Sequence, residues 1–387
     1  MKMHALIRDR GGFALPIAIV ALVVVAVLVV GGFVSVRQEF RTGMGTDRAN
    51  TALYTAEEGI TRTLAGWSAG TMSALPLWGE FTTSGTTAQG EWTVATTRIG
   101  ERNFLLESTG LVSEGAALGP ASRRVGMLVR VRTANLDPPA ALTTRGNVRV
   151  RGTAEVHGGD VNPVNWGPVC SPTSPANNKP GVMTDATGTV TTQGSAEVTG
   201  NPPSVQNPDI TGSTFTTFGD MTWADLVSLA TKTYPGGNFN NTWPELNPDG
   251  TCDTGHATNW GDPLNPIGPC GGYFPIIHIA GNARIQSGAV GQGILLVDGD
   301  LDLRGNFTFH GIVIVQGALG TQGSGNRILG GVWAGNAELE DQTLVGGSVV
   351  QYSTCAATRA ITGNDALSRA RPIAERSWID LSANSMD

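Results

Sequence analysis

Lysine is almost missing from this 387-residue chain: Lys2, Lys179 and Lys232 are the whole supply. Charged residues together make up 15%, well below the ordinary share of about a quarter. The net charge is −7, so the body of the chain has no basic footprint, and nucleic acid is excluded as its partner. Four cysteines are present, but no C-x-x-C pair, which argues against a zinc site. His4, His157, His256, His278 and His310 are scattered, and none forms the helical pair a metal motif needs. His310, just before Gly311, reads as a turn residue. GTQGSG at 320–325 has the glycines of a phosphate loop without its lysine, and Ser324 there belongs to no G-x-S-x-G elbow. No catalytic set emerges, and no cofactor or metal is expected.

Charge is missing most completely between Phe13 and Val36, a run of 24 residues. As a helix this run is about 36 Å long, enough to cross a bilayer core of about 30 Å. A secretory h-region is shorter, about 7–15 residues, and ends in small residues. Gly31, Gly32 and Ser35 make a poor cleavage site of that kind. The run therefore predicts a single transmembrane helix over 13–36. Lys2, Arg8 and Arg10 precede it, opposed only by Asp9, which leaves the head in the cytoplasm and sends the rest across the membrane.

Glycine is abundant where lysine is not: 53 residues, roughly twice the usual share. Two of them, Gly11 and Gly12, stand between the basic head and the apolar run in RDRGGFALPIAIVALVV. This junction resembles the class III signal of type IV pilins and type II secretion pseudopilins. The resemblance implies a leader of residues 1–12 and cleavage between Gly12 and Phe13 by a prepilin peptidase. It also implies N-methylation of Phe13 and a helix that packs with other pilin subunits in a filament. The implied location is the bacterial inner membrane, then a pilus or a periplasmic or extracellular filament. Where most such proteins carry a glutamate five residues into the mature chain, this one has Ile17, preceded by Pro16. Lack of that glutamate is a feature of some minor members, so a low-copy subunit is expected rather than the major one.

RANTALYTAEEGITRTLAGW continues the helix as an amphipathic stalk over 37–66. Ala49, Ala52, Leu53, Ala56, Ile60 and Leu64 fall at the spacing of one face. The stretch resembles the segment that follows the anchor in PilX-type minor pilins, with Glu57 in the acidic place. Gly43 and Gly45 predict a break or bend at the joint, since glycine is costly inside a helix. Residues 67–136 alternate as short strands and predict a small pilin-like sheet. DPPAAL at 137–142 ends it. A Gly/Pro-rich region follows over 137–275. Its one predicted helix is WADLVSLATK at 223–232, capped by Thr222 or Asp220 and burying Leu226, Leu229 and Ala230.

The most regular part is 276–352. IIHIAGNARI, ILLVDGDLDL, IVIVQGALGT and GGVWAGNAEL share Gly281, Gly299, Gly317 and Gly335 at an interval of 18. That period fits one coil of a parallel β-helix, with strands stacked at about 4.8 Å. It predicts inward ladders of Leu296, Ile314 and Val332, with His278 at the end, and of Ile294 with Ile312. It also predicts turn glycines suited to positive φ. Residues 353–387 read as a tail. The predicted fold class is mainly β with a long N-terminal α-helix: a pilin-like helix and small sheet followed by a parallel β-solenoid.

Cys170, Cys252, Cys270 and Cys355 all follow the anchor, where two disulfides are compatible with an even count. Three pairings exist, and proximity favours Cys252 with Cys270. Asp298, Asp300 and Asp302 alternate in VDGDLDL and would share one strand face, as ligand-facing carboxylates or as a solvated edge. The combined reading is a non-enzymatic minor pilin or pseudopilin-like subunit exposing a solenoid head for assembly or adhesion. The alternative is a membrane-anchored β-helix protein that acts on or binds polysaccharide.

Overall fold

The computed structural model describes residues 14–113, 119–286, 288–335, 342–344, 347–374 and 377–382. Two compact units divide the chain, Met1–Arg130 with Ala370–Asp387 and Val131–Arg369. The second is thus an insertion in the sequence of the first.

The first unit is built on one helix, α1 (Ala14–Ala65), 52 residues long. It runs unbroken through Gly43 and Gly45, so the expected break is absent, and anchor and stalk are one element. Neither glycine has an atom within 4 Å of where a Cβ would stand. Their cost of about 1 kcal/mol each in propensity is small against so long a hydrogen-bonded run.

Beyond the helix come β1 (Glu80–Thr86), β2 (Glu91–Arg98), β3 (Asn103–Val112) and β4 (Ala121–Thr133), paired in that order as an antiparallel meander. Their period of two is visible in burial: Trp92, Val94 and Thr96 on β2, and Phe104, Leu106 and Ser108 on β3, face inward. The end of α1 covers this face with Ala52, Thr55, Ala56, Ile60 and Thr63. Small residues set the separation. A Cβ on Gly110 of β3 would lie 2.1 Å from the Ala52 carbonyl oxygen and 2.6 Å from the Ala56 nitrogen. Trp67 closes the end of this core edge-on to Phe104, ring centres 5.1 Å apart. The strand Trp378–Asp380 pairs antiparallel with β4, Trp378 opposite Met127. The supposed tail therefore supplies a strand to the sheet.

The second unit is a parallel solenoid. Ile276 pairs with Ile294 and Ile294 with Ile312, while Ala283 pairs with Leu301 and Leu301 with Leu319, each an 18-residue step. The next step differs. Ile312 pairs with Gly331 and Ile314 with Trp333, because the corner at Gly323–Asn326 takes up one residue more. Trp333, not Val332, continues the row of His278, Leu296 and Ile314.

That row also faces the other way from the prediction. The lumen is filled by Ile277, Ile279, Leu295, Val297, Val313, Val315, Val332 and Ala334, together with residues from every other face of the coils. Ile294, Leu296, Ile312, Ile314 and Trp333 point outward into a second core, under the helices Trp223–Ser228 and Thr354–Thr362. Both sides of these strands are buried, so the sequence carries no alternation to tell inside from outside.

The solenoid is also longer than the visible repeat. Leu142–Thr144 pairs with Ser324–Ala334, Val148–Gly152 with Gln342–Leu344, and Glu155–His157 with Gly347–Tyr352. Val182–Thr184, Val190–Gly194 and Glu197–Thr199 stack on those in turn. At the opposite end Lys232–Asn240 pairs with Ile276–Gln286. Along the stack the chain therefore runs from 232 to 352 and then from 142 to 206, and residues 207–231 return between the ends. The predicted helix at 223–232 stops at Ser228, with Thr222 as its cap, because Lys232 already begins the first strand.

Candidate assembly helix and head corners

Every residue of α1 from Leu15 to Asp47 is exposed. Leu15 is 74% accessible and Ile17, in the glutamate's place, 63%. The apolar part of this run is long enough to cross a membrane. A contiguous apolar surface of this extent is not left in water by a monomeric protein, so it has a lipid or protein partner. Past it, Thr42 and Thr46 donate their hydroxyls to the carbonyls of Gln38 and Thr42 (2.9 and 3.0 Å), so these side chains are satisfied within the helix. Gly12 and Phe13 lie outside the described residues.

On the head, the four repeat glycines do form one corner. The amide of Gly299 donates to the Gly281 carbonyl (3.2 Å), that of Gly317 to Gly299 (3.1 Å), and that of Gly335 to Gly317 (2.8 Å). Their reasons for being glycine differ. Gly281 and Gly335 have φ of 130° and 87°. Gly299 and Gly317 do not have positive φ and are needed for space. The Asn282 Oδ1 would lie 2.0 Å from a Cβ on Gly299, and the Asp300 Oδ1 2.3 Å from one on Gly317. Those same oxygens accept the amides of Asp300 (2.9 Å) and Ala318 (2.8 Å) one coil further on. Asn282 and Asp300, each following a repeat glycine, thus cap the next corner.

This geometry separates the three aspartates, which form no row. The strand ends at Val297, and the chain turns before Leu301. Asp298 accepts from His278 Nε2 (3.1 Å) and Trp223 Nε1 (3.2 Å). Asp300 is the corner cap. Asp302 is paired with Arg284 (3.0 Å) and Arg304 (2.8 Å). Each carboxylate is held by a different set of protein partners, and among the described residues no cluster of three acids, histidines or cysteines could hold a metal ion.

The cysteines pair as Cys170–Cys355 and Cys252–Cys270. The first joins the loop after the solenoid's Glu155–His157 strand to the helix Thr354–Thr362. The second closes the loop around Asn259, whose side chain donates to the carbonyls of Glu245 and Asp253.

His310 is a strand residue rather than a turn residue, 4% exposed and edge-on to Trp166 at 5.1 Å. Burial pushes its pKa down to about 3, so it is neutral in the fold. Lys232 is also buried, its ammonium donating to the carbonyls of Thr254 (3.0 Å) and His256 (2.7 Å). Desolvation lowers its pKa.

One arrangement on the head has no sequence signal of its own. Arg359 lies over both Trp166 and Phe274, its guanidinium 5.5 and 5.2 Å from the two rings. The three are far apart in the chain and meet only because the helix Thr354–Thr362 crosses the outward row of the solenoid.

No family model matches the chain, and none of the curated proteins does. Among solved structures it is similar to the competence-associated pilin ComZ from Thermus thermophilus. Identity is 13%, over 86% of this chain and 96% of that one, with a TM-score of 0.23.

Proposed function

We propose that this protein is a minor-pilin-like or pseudopilin-like structural subunit of a type IV pilus or a related secretion filament. It would be processed between Gly12 and Phe13 and would carry its solenoid as an exposed head. The observation that carries this reading is the division of labour along α1. Its first part is apolar and wholly uncovered, while its last turns are docked through Ala52, Ala56 and Ile60 on an antiparallel meander. A plain anchor has no need of a helix that runs without a break from the membrane span into a folded sheet. The Gly-Gly-Phe junction supports the same reading from the sequence side. Lys2, Arg8 and Arg10 support a cytoplasmic N-terminus.

Ile17 supports a low-copy position. A carboxylate within the apolar run would be expensive unless paired, for instance with a neighbouring subunit's terminal amine. A subunit with isoleucine there cannot offer that pairing. The deciding experiment is the mature N-terminus. Expressed with an active prepilin peptidase, the protein should begin at N-methylated Phe13. A protein still beginning at Met1 under those conditions is a simple anchored protein, and the proposal fails.

A further inference from the structure

A cleft of about 270 Å³ opens beside the Cys170–Cys355 disulfide, lined by Asp160, Asn162, Ser171, Thr358 and Arg359 among others. Its charges are unequal in status. Asp160 is fully used within the protein: one oxygen accepts the Thr354 amide (2.8 Å) and the other the Asn177 side-chain amide (3.2 Å). Arg359 is not. Its one hydrogen bond is a long contact of 3.5 Å to the Val169 carbonyl, and its Nε is buried without a partner. No carboxylate of the described residues pairs with it.

A half-buried guanidinium without a counter-charge is unusual, since arginine is rarely taken out of water unless paired. Here its guanidinium carbon lies 5.5 and 5.2 Å from the centres of two aromatic rings, which restrains the group, and a guanidinium presents its donors as a planar fork. Such a fork matches a carboxylate in two-point contact. Apart from Asp160, whose two oxygens are taken up by protein amides, the groups around it are uncharged. The hydroxyls of Ser171 and Thr358 make no hydrogen bond with other described residues, and the Asn162 amide donates only to the Ser171 carbonyl. A cation with no ion-pair partner, beside neutral hydroxyl and amide groups, is the chemistry of a carboxylate on a polyhydroxylated ring. The volume lies just under the usual range for drug-sized ligands, about 300–1,000 Å³, and so suits one ring rather than a chain of them.

We propose that this cleft binds a single carboxylate-bearing sugar residue, with Arg359 taking the carboxylate and Ser171, Thr358 and Asn162 the ring hydroxyls. The site lies wholly within the solenoid unit and does not depend on the filament reading.

The test is titration of the full chain in detergent with glucuronate, glucose and inorganic phosphate, read by ligand-observed NMR. Glucuronate should bind with a Kd of about 1 mM, and glucose and phosphate at least about tenfold more weakly. Arg359→Gln should abolish glucuronate binding. Thr358→Ala, at an exposed position that leaves the aromatic stack intact, should weaken it several-fold without moving the thermal midpoint. Equal binding of glucose would show that the cation does not select the ligand. Equal binding of phosphate would make the cleft a general anion site. Undiminished binding in both variants would place the sugar elsewhere. Each of these, like the absence of any binding, overturns the proposal.

Discussion

Replacing Gly110 by alanine tests the docking of α1 directly. The new Cβ would stand 2.1 Å from the Ala52 carbonyl oxygen and 2.6 Å from the Ala56 nitrogen. Ordinary contact begins near 3.4 Å, so the helix must retreat by more than about 1 Å from β3. The obstructing atoms are backbone and cannot rotate away. A gap of that size forfeits a quarter to a half of the dispersion contact around Ala56 and Ile60. Overpacking of this kind costs about 1–3 kcal/mol, and rigid obstruction places Gly110→Ala at the upper end.

Gly59, on the facing helix surface, supplies the control. Alanine there would gain about 1 kcal/mol of helix propensity. Its Cβ meets the Ser108 side-chain oxygen at 2.8 Å and the Trp92 Cβ and ring at 3.1 Å, a milder overlap than the 2.1 Å at Gly110. The net cost should therefore be smaller than that of Gly110→Ala. Hydrogen exchange in β2 and β3, with calorimetry of the purified chain, reads both variants. If Gly110→Ala costs less than about 0.5 kcal/mol, or less than Gly59→Ala, the close helix–sheet approach is wrong.

Three further outcomes follow from the head. His310 is held neutral with a pKa of about 3, against about 6.5 when unfolded. Between those values the unfolded chain binds a proton that the fold excludes. Stability should therefore be intact above about pH 6.5 and fall as pH drops toward 3, by at most about 4–5 kcal/mol, and His310→Gln should flatten that slope in pH-dependent denaturation. Trp333 meets Phe218 edge-on at 6.4 Å, so the double-mutant cycle of Trp333→Ala with Phe218→Ala should show a coupling of about 0.5–1.5 kcal/mol; strict additivity would put Trp333 on the lumen side. Cys170–Cys355 spans 185 residues and Cys252–Cys270 only 18. In the chain-entropy picture their loss costs about 5 and about 3 kcal/mol, so Cys355→Ser should lower the melting point more than Cys252→Ser, and the reverse order would refute the entropic argument.

The parts of the fold that sequence revealed are those governed by local periodicity. The apolar run, the docked face of α1 and the 18-residue step each repeat a pattern that one element can carry alone. What stayed hidden depended on partners distant in the chain. The docked face includes Thr55, Gly59 and Thr63, chosen for size rather than hydrophobicity, and an apolar count passes over them. The coils at 142–206 carry no 18-residue period because the loop 158–181 is inserted between them. The carboxylates of Asp298, Asp300 and Asp302 looked alike in sequence, but a corner at Gly299 sends them to three different partners. Arg359 showed nothing, since its significance lies in Trp166 and Phe274.

The stacking order has a consequence for how the chain must fold. Coils formed by residues 142–206 rest on the coil that ends at Tyr352, so the part of the head made first has its partner strands made last. The lumen of those early coils is closed only when Val332, Leu344 and Val350 arrive. The Cys170–Cys355 bridge joins the same early and late segments. The strand Trp378–Asp380 comes later still and pairs with residues 125–127 of β4, which precede the insertion. Two long-range closures therefore wait on the last third of the chain, one in each unit. Such non-local pairing is slow, because loop entropy is lost before contacts repay it. Until closure, the edges of Leu142–Thr144 and β4 are open to pairing with other chains. Completing the head before the apolar part of α1 meets any partner would keep those edges from pairing between chains.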